Sequence, residues 1–177
     1  MSKFVDKLCS LSKSSTPPIG FHPSVSEPKS AAMLLIVGLS GAQFKEAKIL
    51  ADVNADAGLI VSEGTGAKPI GQVVQAVGNV PIGVIVKGMS QKEIDELASL
   101  GCDFVVFGIR GAAAILGKKE LGKFLMIEPS LDQGLVRAIN SLEIDGVFIT
   151  GGGDSVMVVE HLLVCRRFVE LLEKPVI

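Results

Sequence analysis

The sequence contains no tryptophan and no tyrosine, and its eight phenylalanines supply the whole aromatic content of 5%. This composition argues against a surface that binds nucleic acid by stacking bases on aromatic rings. An excess of charge of one sign is also lacking. Seventeen basic residues stand against 19 acidic ones, for a net charge of −2 and a pI of about 5.7. That is not the balance of a protein that works on nucleic acid or on a membrane surface.

Histidine is scarce. His22 and His161 lie too far apart for a histidine-based zinc motif. The three cysteines, Cys9, Cys102 and Cys165, are widely spaced and odd in number. No pair has metal-ligand spacing, so reduced thiols in a cytoplasmic protein are the expectation. Long hydrophobic runs are absent too: each ends in Gly, Ser or a charge before it could span a bilayer. The opening MSKFVDKLCSLSKSS is broken by charges every few residues, unlike a signal peptide.

What is present is a core-forming composition. Hydrophobic residues make up 48% of 177 residues, enough for a sizeable core. The mean hydropathy of +0.50 is high for a chain without a membrane span. Strands buried on both faces account for it.

Residues 1–30 read as a short amphipathic helix carrying Phe4, Val5, Leu8 and Leu11, followed by an irregular Ser-, Pro- and Lys-rich arm from Ser12 to Ser30. Residues 31–177 form the second unit, in which apolar runs alternate with helical patterns. The predicted strands are Ala32–Leu39, Gly58–Ser62, Ile82–Val86, Phe104–Gly108, Phe124–Ile127 and Gly146–Thr150. The predicted helices are Gln43–Val53, Pro69–Val77, Ser90–Leu100, Ala112–Leu121, Leu131–Leu142 and Ser155–Glu173. Ser90 and Glu93 make a capping box and Gly101 marks a helix stop. Asp56, Asp103 and Asp145 each precede an apolar strand, a weak repeat read as turn closure.

Continuous strands rich in Val and Ile belong in a parallel sheet covered on both faces. The turn after the first strand, Gly38-Leu39-Ser40-Gly41, lacks the glycine fingerprint of a dinucleotide-binding open sheet. The regular unit length fits a (β/α) TIM barrel instead. The count stops short, however. Six βα units are followed by Pro175-Val176-Ile177, the start of a seventh strand. The expectation is a barrel truncated inside its seventh strand, either a fragment or a chain completed by another segment or by a second copy.

Sites in such folds lie at the C-terminal strand ends. That rule selects Ser40, Glu63, Thr65, Lys87, Arg110, Glu128, Thr150 and the run Gly151, Gly152, Gly153, Asp154, Ser155. Lys87, with Glu63 or Glu128 as its carboxylate partner, is the candidate for acid–base or Schiff-base chemistry. Arg110 can clamp a carboxylate or phosphate. The glycine run ahead of a helix can bring backbone N–H groups to an anion. Ser40 and Thr65 sit in similar glycine-bearing turns. No metal site is expected. Cys102 and His161 are expected in packed or solvated roles. Val156, Val159, Leu163 and Phe168 are expected to pack against the barrel.

The segment Asp145–Ile177 resembles the sixth-to-seventh-strand region of FMN-dependent barrel oxidoreductases of the nitronate monooxygenase type. It shares "DGVFITGGG", a helix and then "KPVI". The resemblance implies FMN as cofactor and an oxidoreductase activity. Where that family has a catalytic histidine soon after the glycines, this chain has Asp154 and Ser155. The leading expectation is thus a barrel that binds a small anionic or phosphorylated metabolite. The alternatives are an FMN-dependent oxidoreductase and a non-catalytic assembly partner.

Overall fold

Short runs of β-branched and aromatic residues form six strands: β1 Ile36–Ser40, β2 Ala57–Val61, β3 Ile82–Val86, β4 Phe104–Gly108, β5 Gly122–Ile127 and β6 Gly146–Ile149. The computed structural model describes residues 2–14, 33–40, 50, 52–61, 67–88, 90–150 and 158–177. Every pairing is parallel, and the strands stand in chain order from β1 to β6. The order never reverses. Right-handed crossovers that always step the same way keep the helices on one face and curl the other face inward. A doubly wound sheet needs a reversal of order, whereas a TIM barrel does not. The six units therefore make a curled part-barrel, as the unit count predicts. A seventh strand begins beside β6. The Val147 N–H donates to Pro175 O at 2.9 Å, and the Ile177 N–H donates to Val147 O at 2.9 Å.

The helices are α1 Lys3–Ser14, α2 Ala67–Val77, α3 Gln91–Ser99, α4 Gln133–Ala138 and α5 Val159–Leu171. The α3 signals are realised in full. Ser90 Oγ accepts from the Glu93 N–H, and Glu93 returns a bond to the Ser90 N–H at 2.7 Å. The Ser90 N–H, and then the Ser90 hydroxyl, donate to the Glu93 carboxylate and hold it below its usual value. Gly101 ends the helix region at φ +88°, where a side chain would be strained.

Several expectations are corrected. The described part of the first strand starts at Ile36, and Met33 and Leu35 ahead of it are exposed. Helix α1 runs through Ser14, into the stretch read as an irregular arm. In place of a helix over 112–121 there is one 3₁₀ stretch, Ala113–Gly117, with no side-chain cap at Ala112. Glycines at 111, 117 and 122 leave too few residues between them for a stable α-helix. The helix expected over 131–142 is six residues long and tightens into a 3₁₀ turn at Ile139–Ser141. On α5, Phe168 is fully buried as expected, but Val159 and Leu163 are 71% and 66% exposed. The inward stripe is instead His161, Val164, Phe168 and Leu171. The helix is apolar on two sides, so periodicity alone did not choose between them. Apart from Leu50, Asp52 and Val53, the expected helix over 43–53 lies outside the described residues, as do most of the arm and Val156.

Alternation along the strands builds two cores. Val84, Val105, Phe107, Leu125 and Ile127 face outward and pack under the helices. Ala57, Phe104, Val106 and Phe124 face inward. The inner core is closed at the N-terminal strand ends by α1. Phe4 is fully buried, its ring 4.6 Å from Phe104 and 5.4 Å from Phe124 between centroids. Asp103 holds the start of that helix, because its carboxylate accepts from Ser2 Oγ at 2.7 Å, the Lys3 N–H at 2.8 Å and the Phe4 N–H at 3.0 Å.

The aspartates before the even-numbered strands thus all make structural hydrogen bonds. Asp145 accepts from the Lys123 N–H at 2.8 Å. Asp56 accepts from the Leu35 N–H at 3.0 Å and pairs with Lys7 at 3.1 Å. The Leu35 hydrogen bond, with help from Lys7, holds the Asp56 carboxyl below its usual value. In the unfolded chain that carboxyl titrates near 3.8. The stabilisation is therefore complete above that pH and is lost as pH falls through the lower folded value. Asp56→Asn should flatten the acid limb of a stability-versus-pH curve measured by urea unfolding. An unchanged acid limb would count against the assignment.

Cys102 is buried in the outer core, and burial pushes its thiol up to about 12. Cys9 and Cys165 are exposed. A thiol reagent at neutral pH should titrate two cysteines in the native protein and three after denaturation. Rapid native modification of Cys102 would contradict this packing.

Candidate functional site

The inward alternation continues past the strand ends. In β4 it runs through Phe104 and Val106 towards Arg110, in β5 through Phe124 and Met126 towards Glu128, and in β6 through Phe148 towards Thr150. The register pairs Gly108 with Met126 and Met126 with Phe148. Two residues further on, this brings Arg110, Glu128 and Thr150 to one level. All three line a single cavity of about 760 Å³, together with Gly108, Ser130 and Asp132. Ile109, Met126, Ile127 and Leu131 form its apolar part.

Among the described residues, neither the Arg110 guanidinium nor the Glu128 carboxylate makes a hydrogen bond or an ion pair. Thr150 and Asp132 are held by the fold. Thr150 Oγ1 donates to Ile127 O at 3.3 Å, and the Thr150 N–H donates to the same carbonyl at 3.0 Å. Asp132 caps α4 by accepting from the Gly134 N–H at 2.7 Å. Arg167 on α5 donates from Nη2 to Pro129 O and sits 4.7 Å over the Phe168 ring. It thereby pins the turn that carries Glu128 and Ser130.

Of the residues singled out from sequence, the cavity brings together Arg110, Glu128 and Thr150. Lys87 directly follows β3 and Ser40 ends β1. Both are exposed, both have interactions of their own, and neither is among the described residues lining this cavity. Glu63, Thr65, Gly151, Gly152, Gly153, Asp154 and Ser155 lie outside the described residues. Sequence reasoning missed Asp132, whose position just ahead of a helical pattern was a readable N-cap signal. It also missed Ile109 and Leu131, which carry no chemical signal. Among the described residues there is no cluster of His, Cys, Asp and Glu fit to hold a metal ion.

Comparison with known proteins places the fold. No protein-family model matches the chain, and no curated protein matches it in sequence. Among solved structures, a mutant tryptophan synthase alpha-subunit from Pyrococcus furiosus superposes with a TM-score of 0.68 at 12% identity, over 81% of this chain and 76% of the other. An HpcH/HpaI aldolase from Desulfitobacterium hafniense gives 0.60 at 11% identity, over 78% and 73%. A structure from Aquifex aeolicus gives 0.63 at 12% identity, over 99% and 79%. These likenesses define the class: a parallel α/β protein of the TIM-barrel type. The neighbours named are not nitronate monooxygenases, so the FMN-enzyme resemblance has no counterpart among them. No helix among the described residues is long and apolar enough to cross a membrane.

Proposed function

We propose that this chain binds a small anionic or phosphorylated metabolite at the C-terminal ends of β4, β5 and β6. The observation that carries this reading is one cavity lined by both Arg110 and Glu128, with neither charge engaged by another described residue. A guanidinium at a strand end is a geometric match for a carboxylate or phosphate. Glu128, two register steps beyond the inner core on the neighbouring strand, is the group placed to exchange a proton with a ligand so held. Lys87, directly after β3, is a further candidate acid–base group, and Glu63 is proposed from the sequence as its carboxylate partner. The glycine run 151–153 with Asp154 and Ser155 is the proposed second anion contact. Reduced cysteines and the lack of a membrane-spanning helix among the described residues fit a cytoplasmic setting.

The test is titration with inorganic phosphate and with acetate, followed by NMR. Both should shift resonances of residues around Arg110, and Arg110→Met should weaken binding by about ten-fold or more, the worth of a hydrogen bond to a charged group. No response of the native protein to either anion, or equal affinity in the variant, sinks the proposal.

A second reading, an assembly partner, is favoured by α5. Val159, Leu162, Leu163 and Val169 are each more than half exposed on that helix. One structural neighbour is described in a tryptophan synthase a2b2 complex. Light scattering that shows only a monomer over a wide concentration range would remove self-association from this reading.

A further inference from the structure

A second cavity of about 360 Å³ adjoins the first. It lies outside the barrel, over the outward faces of β4 and β5. Phe107, Leu116, Leu125, Leu135, Ile139 and Leu142 give it apolar walls. It lies where the helical stretches of two connections are short. The segment after β4 holds a five-residue 3₁₀ turn, and α4 has only six residues. Alanines at 112, 113 and 138 leave the gap between them unfilled. Ile109 and Leu131 line both cavities, so the apolar hollow opens beside the Arg110 cavity. Ile109 is 58% exposed and Leu135 57% exposed, so apolar surface here meets water in the structure as it stands. Covering such a surface is favourable, and the volume is in the range of small-molecule sites.

The geometry points to a ligand with two parts: a carboxylate held by Arg110 and an unbranched alkyl tail that passes Ile109 and Leu131 into the outer hollow. This assignment rests on the anion-binding reading of the Arg110 cavity and narrows its ligand to a medium-chain carboxylate. The two halves of the site have different chemistry and are built on different faces of the sheet. The head meets the strand ends, and the tail meets the layer between the sheet and its short connections.

The test compares octanoate, acetate and 1-octanol on the full chain by NMR titration. Burying even two methylenes is worth about ten-fold in affinity, so octanoate should bind at least about ten-fold more tightly than acetate. 1-Octanol, lacking the charged head, should bind more weakly than octanoate. Ala138→Trp and Ala112→Phe each fill the hollow from an exposed position. Both should abolish the advantage of octanoate while leaving acetate affinity unchanged. Arg110→Met should weaken both acids alike. Equal binding of octanoate and acetate, a chain-length advantage that survives both fillings, or 1-octanol binding as well as octanoate overturns the two-part ligand. Failure of acetate to bind, or its indifference to Arg110→Met, overturns the anion site itself.

Discussion

Phe4→Ala should lower the free energy of unfolding by about 3–5 kcal/mol, the usual cost of emptying a fully buried phenylalanine site. Phe4 has no solvent exposure and is the only described aromatic from outside the sheet that enters the inner core. Its ring is stacked on Phe104 at an interplanar angle of 25°, and Phe104 in turn meets Phe124 edge-on at 77°. Removing the ring leaves a hole that its neighbours cannot fill. Phe104 is confined against Gly83, and Phe124 meets Phe148 edge-on at 87°. Only the helix could shift, and Asp103 holds its first turn. Urea unfolding followed by circular dichroism gives the value directly. A loss below about 1 kcal/mol would show that α1 does not close the barrel floor, since single core truncations of this size cost more.

Gly83→Ala should cost about 3 kcal/mol, the upper range for overpacking a close-fitted core. A Cβ built on Gly83 would lie 2.1 Å from Phe104 Cε2 and 2.3 Å from Cζ. Real carbons do not approach so closely, and the Phe104 ring is fixed between Phe4 and Phe124. The strand position is glycine because the neighbouring strand's phenylalanine occupies the space a side chain would need. Gly83→Ala combined with Phe104→Leu should recover part of the loss, because the shorter side chain gives way. The comparison is a double-mutant cycle on unfolding midpoints. Additive losses in the double variant would falsify the steric account.

The strands were readable because each is a short unbroken apolar run, and their parallel order followed from the helical patterns between them. The α3 boundaries were readable from Ser90, Glu93 and Gly101, whose signals are local. Arg110, Glu128 and Thr150 are selected by one rule, that sites lie where strands end, and the structure brings the three to one cavity. What could not be read was non-local. Nothing near Phe4 announces that Asp103, a hundred positions away, accepts three hydrogen bonds from the start of its helix. The two-sided apolar character of α5 concealed which side packs, so Val159 and Leu163 were placed on the wrong one. The outer hollow depends on how short the 3₁₀ turn and α4 turn out to be. For the 3₁₀ turn that length is set by the surrounding glycines and the lack of a side-chain cap at Ala112 rather than by any pattern a ligand site would impose.

The strand order has a kinetic consequence. Each strand pairs with the one before it, so closing each unit requires only a short loop and the barrel can grow outward from any finished pair. Helix α1 is the exception. Its anchors on Asp103, Phe104 and Phe124 do not exist until β4 and β5 have been laid side by side. Helix α1 therefore cannot be seated before β4 and β5 have paired, although it precedes both in the sequence. Until then, Phe104 and Phe124 lack the cover that Phe4 gives them, and exposed apolar surface of that kind is prone to aggregate.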